Sequence, residues 1–115
     1  MTQTPSAAAP ILLAGEYRVA GVDGRDIDQP YAITASITPT RIHVTADCLN
    51  FGWTYTLAGD SIATERLAVE SCGRGPTPAE EAVVAAVDAA ARIARTPANG
   101  VELVGQGRRL TLFSQ

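Results

Sequence analysis

The chain has 115 residues with nine arginines, no lysine, twelve acidic side chains and a net charge of −3. That length makes one domain with a single core, and the charge offers no basic field for a phosphate backbone, which argues against nucleic acid as a partner. Without lysine there is no Schiff-base chemistry, no lysine general base and no P-loop, and no apolar run reaches membrane-spanning length.

Residues 1–13 read as an N-terminal tail. The first ten are small, polar and proline-bearing, without a periodic apolar face. Such a tail fits the segment left behind by a removed export or lipoprotein signal, and equally an ordinary frayed terminus. Ile11-Leu12-Leu13-Ala14 is too short for a signal-peptide core, so no export signal is visible in the chain. The domain then occupies 14–115.

From Gly15 onward the pattern has period two. Tyr17 and Val19 alternate with Arg18 and Ala20; Ile33, Ala35 and Ile37 with Thr34 and Ser36; Ile42, Val44 and Ala46 with Arg41, His43, Thr45 and Asp47. Phe51, Trp53, Tyr55 and Leu57 alternate with Asn50, Gly52, Thr54 and Thr56. Each run predicts a half-buried antiparallel strand, with Pro39-Thr40 and Ala58-Gly59-Asp60 as turns. Two weaker segments come next, around Ile62 and Leu67–Val69. Thr77-Pro78-Ala79-Glu80 fits a capping box with proline at N1, and the apolar stripe Val83, Val84, Val87, Ala90, Ala91, Ala94 predicts one helix over about 78–95. Asp88 and Arg92 would form an i,i+4 pair on its outer face. Val101–Val104 and Arg108–Phe113 predict a closing hairpin around Gly105-Gln106-Gly107. The expected fold is α+β: an antiparallel sheet of about seven or eight strands curled into a partial barrel, with one packed helix.

The two cysteines, Cys48 and Cys72, allow two readings. A bridge would tie the end of one strand to the segment entering the helix and contribute about 3.5 kcal/mol by restricting the unfolded chain. Two reduced thiols in a cytosolic protein are the other reading, and the residues alone leave the two balanced.

In the order Cys48-Leu49-Asn50-Phe51-Gly52-Trp53-Thr54-Tyr55, then Cys72, then a helix with an acidic start (Glu80, Glu81), then a glycine-bearing hairpin with Leu110-Thr111-Leu112-Phe113, the chain resembles the META domain, the HslJ-like family. The similarity spans about residues 14–114. It departs from the family's glycine-cysteine-asparagine run: Asp47 stands for the glycine and Leu49 separates Cys48 from Asn50. The resemblance implies a small, partly barrel-like antiparallel sheet with a helix packed on it, in a bacterial cell-envelope or periplasmic setting, often as a lipoprotein or exported domain. That setting is oxidising and implies the Cys48–Cys72 bridge. The family brings no catalytic residues.

The residues offer little for catalysis. His43, Asp47 and Cys48 invite a cysteine-nucleophile reading, but His43 and Asp47 share one strand face while Cys48 begins the other parity, so nucleophile and base are not aligned. No spacing suits a metal, and Asp23, Asp26 and Asp28 lack the glutamate of a calcium loop. No motif requires a cofactor. Phe51, Trp53 and Tyr55 face one side; they read first as core and second as the wall of an apolar pocket for a lipid or hydrophobic peptide, with Arg108 and Arg109 at the final turn meeting an anionic group. The expectation is a non-enzymatic envelope protein that supports stress resistance or envelope integrity by binding an unknown protein or hydrophobic ligand. A pilotin- or carrier-like protein is the alternative, and a thiol-dependent enzyme or redox sensor the third.

Overall fold

The computed structural model describes residues 12–115. Its elements in chain order are β1 (Gly15–Val22), β2 (Arg25–Asp26), β3 (Ile33–Ile37), β4 (Arg41–Ala46), β5 (Leu49–Ala58), β6 (Ser61–Leu67), α1 (Pro78–Ala89), β7 (Arg92–Arg95), β8 (Val101–Gly105) and β9 (Arg108–Ser114). Every pairing is antiparallel. β1, β3, β4, β5, β6, β7, β8 and β9 neighbour one another in that order, and β9 returns to β1, so the sheet closes into an eight-stranded barrel. The short β2 adds to β1 beside this ring. The sheet is therefore a complete barrel where the sequence predicts a partial one.

The alternation sets which side chains enter the barrel. Tyr17, Val19, Ile33, Ala35, Ile37, Ile42, Val44, Trp53, Tyr55, Ile62, Leu103, Leu110 and Leu112 are all buried in one cluster, while the residues between them face solvent. Closure removes the sheet edges that a flat sheet of these strands would expose. The tail reading over residues 1–11 lies outside the described residues; Leu12 is exposed, whereas Leu13 is buried and its carbonyl accepts from the Tyr17 hydroxyl at 2.7 Å.

The helix starts where the sequence predicts. Thr77 is the N-cap, Pro78 comes directly after it, and the reciprocal bonds of the capping box to Glu80 are both made. It ends earlier than expected, at Ala89 rather than near residue 95. Ala90 already has extended dihedrals, and residues 92–95 form β7. The cause is tertiary: Ala91 N–H donates to Val104 O (2.9 Å), its carbonyl accepts from Ile62 N–H (3.0 Å), and Ile93 N–H donates to Asp60 O (2.8 Å). These bonds seat β7 between β6 and β8 and bury Ile93, and they outweigh the helix preference of the alanines. The expected Asp88–Arg92 pair is not formed; Arg92 lies 3.5 Å from Asp60 and Asp88 binds Arg66. The two weak segments between residues 61 and 69 are one strand, β6, ending at Leu67.

α1 packs against β1, β6, β8 and β9. At its C-terminus it comes so close to β8 that a Cβ on Gly105 would sit 1.9 Å from Ala89 O, so only glycine fits there. The closing hairpin turns on Gln106 and Gly107, both with positive φ (51° and 78°), the pair of conformations a two-residue type I′ turn requires.

Candidate functional site

Between β6 and α1 runs a strap, residues 68–77, folded back over the β4–β5 turn. Cys48 and Cys72 are joined in a disulfide, with Cα atoms 5.6 Å apart, and there is no free cysteine. Around the bridge, Cys72 N–H donates to Cys48 O (3.3 Å), Asn50 N–H donates to Ser71 Oγ (2.7 Å), and Ser71 Oγ–H donates to Asn50 O (2.9 Å). Val69 lies on the outer barrel face over Gly52, where a Cβ would approach its Cγ1 to 3.0 Å. Glycine at this position lets the strap seat flat against the strand.

Two residues beyond Cys72, the strap delivers Arg74 to a buried carboxylate. Among the described residues Glu80 is the one charged side chain that is buried, at 1 % exposure. Its Oε1 accepts from Arg74 Nη1 (2.9 Å) and Thr77 N–H (2.8 Å); its Oε2 accepts from Tyr31 Oη (2.8 Å), Arg74 Nη2 (3.0 Å) and Gln29 Nε2 (3.1 Å). Arg74 also donates to Ala46 O (3.2 Å), and its guanidinium stacks 5.1 Å from the centre of the Tyr31 ring. Its Nε has no hydrogen-bond partner; the Asp47 carboxylate stands 3.8 Å away. Burial raises the Glu80 pKa, but the bonds from Arg74, the Thr77 amide, Tyr31 and Gln29 outweigh it and lower the pKa to about 2. The hydrogen bond to that carboxylate holds the Tyr31 hydroxyl above its ordinary value. A buried charge is tolerated only when paired and bonded in this way.

A second polar cluster lies at the other end of the helix. Asp88 Oδ1 accepts from Trp53 Nε1 (2.8 Å) and Arg66 Nε (3.0 Å), and Oδ2 accepts from Arg66 Nη2 (2.5 Å). Arg66 lies over the Trp53 ring at 5.6 Å. The bidentate contact with Arg66 leads the causes that lower the Asp88 pKa.

The residues singled out from the sequence divide between core and surface. Trp53 and Tyr55 are buried in the barrel core, Tyr55 bonded to Thr38 O (2.5 Å), and Phe51 is half-buried against it. Arg108 and Arg109 sit on β9, across the barrel from β5. Arg108 pairs with Asp23 (2.7 Å), whose other carboxylate oxygen accepts from Arg109 N–H (3.1 Å). Aromatics and arginines therefore do not share an exposed face. His43 is bonded to Asn50 (3.0 Å) on the outer face, and Cys48 is consumed in the bridge, so the sequence triple His43, Asp47, Cys48 is not assembled as nucleophile and base. Among the described residues no group of three His, Cys, Asp or Glu side chains is arranged to hold a metal ion. An open groove of about 470 Å³ runs between the residue 25–28 segment and the first turns of α1, floored by Val22, Ile27, Pro78 and Ala82.

The described residues thus form a closed antiparallel barrel with one packed helix and a disulfide-tied strap. Comparison with protein-family models, with curated proteins and with solved structures found no match.

Proposed function

We propose that this chain is a META/HslJ-like domain of the bacterial cell envelope that supports envelope integrity or stress resistance by binding, without chemistry of its own. The observation that carries the reading is the Cys48–Cys72 bridge, which the resemblance implies and which fits an oxidising compartment. The polar clusters add support. Glu80 and Asp88 are satisfied by partners from distant parts of the chain, the arrangement of residues that fix a surface. No helix among the described residues is long and apolar enough to cross a membrane. The carrier reading gains no support from Trp53, whose side chain is packed inside the core.

The test is fractionation of cells expressing the protein from its native gene, with a thiol count on the recovered chain, alongside growth of a deletion strain under envelope stress. The reading expects the chain in the envelope fraction without free thiols, and a deletion defect that the wild-type gene restores. A cytoplasmic chain with two free thiols would overturn it.

A further inference from the structure

We infer that the Cys48–Cys72 bridge is a thiol-exchange site on the folded surface, and that its opening by a dithiol releases the strap while the barrel stays closed. Three observations point there. The bridge is not in the core: Cys48 is exposed and Cys72 half-buried. The strap has no buried residue, since every residue from 68 to 76 is exposed or half-buried and Val69 over Gly52 is itself exposed. The barrel does not need the strap for closure, because its eight strands pair in a ring that excludes residues 68–77. An accessible bridge over a segment without a buried side chain is the kind that thiols reach in the native state.

The exchange runs in two steps. A thiolate of the dithiol attacks one bridge sulfur, that of Cys48, the more exposed residue, and forms a mixed disulfide as Cys72 leaves as a thiolate. The second thiol of the reductant, deprotonated, attacks its own sulfur in that mixed disulfide and expels the Cys48 thiolate. The reductant ends as its internal disulfide, having given two electrons, and the cysteines carry the two protons as thiols. The strap then has no covalent tie; Arg74 on Glu80 and the Asn50–Ser71 bonds still draw it to the barrel, and it lifts away in the transient openings of those bonds.

Trypsin reads the release. Because the chain has no lysine, it is cut only after arginine, and one such bond, Arg74–Gly75, lies in the strap. With the bridge closed, residues 73–76 are pinned between Cys72 and the helix cap at Thr77, too short a stretch to extend into a protease cleft. The protein is treated with dithiothreitol in native buffer, capped with iodoacetamide, freed of reagent and digested; the Cys48→Ser/Cys72→Ser double variant is digested in parallel. We expect both cysteines to be capped without denaturant, the near-ultraviolet signal of Trp53 to persist, and cleavage after Arg74 to rise on the order of tenfold over the oxidised chain while Arg18, in the middle of β1, stays resistant. Sulfurs that are capped only in denaturant would overturn the inference. So would an unchanged rate at Arg74, or Arg18 and Arg74 being cut together as the Trp53 signal collapses.

Discussion

Both ends of α1 are held by a carboxylate, yet the two do different work. Asp88, in the last turn, keeps about two-fifths of its side chain in water (39 %) and binds an arginine that is nearly half exposed (48 %). Glu80, in the first turn, is sealed from solvent and gathers partners from the residue 29–31 loop, the strap and the helix cap. Helix polarity favours the second site, since a negative charge is stabilised at an N-terminus and opposed at a C-terminus. Asp88 therefore depends on Arg66 and the Trp53 indole to offset its position. Glu80 joins three segments at one point, between the Arg74–Tyr31 stack and the Thr77–Gln29 hydrogen bond that also link them, and its end of the helix is also the end tied by the bridge. Burial and connectivity make the N-terminal cluster the anchor and leave the C-terminal one an auxiliary.

Removing Glu80 should have the largest effect. Glu80→Ala removes the side-chain half of the capping box and leaves Arg74 facing a buried void; urea unfolding should show a loss of about 3–5 kcal/mol, as for a broken buried pair. A loss comparable to that of an exposed pair would erase the contrast between the two ends.

Acid should act through the same carboxylate. The folded pKa of Glu80 is about 2 against an ordinary 4.5, so folding favours the ionised form. Its contribution is fully present above about pH 4.5 and is lost as the pH falls toward 2, in total on the order of 3 kcal/mol. Stability measured by urea from pH 6 down to 2.5 should decline through that window, and Glu80→Gln should flatten the decline while lowering the plateau at pH 6. An unaltered slope in the variant would assign the acid response elsewhere.

Asp88→Asn should matter less. It keeps an acceptor for the Trp53 indole and removes a partly exposed ion pair, for a loss under about 1 kcal/mol. Salt should reduce the wild-type advantage, because solvent reaches the pair. Smallest of all, Arg92→Ala breaks a contact of 3.5 Å between side chains that are 71 % and 60 % exposed, and thermal unfolding should barely move.

How far these sites can be read from sequence depends on how local they are. Alternation identifies the strands because each barrel strand has one wet and one dry face, and the capping box identifies the start of α1 because its bonds span three residues. The end of α1 is invisible: Ala90, Ala91 and Ala94 continue the helical stripe, and only β6 and β8, distant in sequence, draw residues 92–95 into the sheet. Glu80 is legible as a cap and not as a hub, since Gln29, Tyr31 and Arg74 come from segments without periodicity. One signal for Arg74 was present: a Cys48–Cys72 bridge carries it toward Asp47. Likewise the turn at Gly59-Asp60 pairs Ala58 with Ser61, and the same register sets Trp53 opposite Arg66, half of the Asp88 cluster. Full closure into a barrel depends on β1 meeting β9, a pairing across nearly the whole chain that no local pattern encodes.

The most direct test of the anchor is a carbon-13 titration of the Glu80 carboxyl by nuclear magnetic resonance on the folded protein. An ionised, sealed carboxylate held by Arg74, Tyr31 and Gln29 predicts a midpoint near 2, displaced well below the other glutamates. A midpoint at or above the ordinary 4.5 would mean that burial prevails over its hydrogen bonds, and the two ends of the helix would no longer differ in the way described.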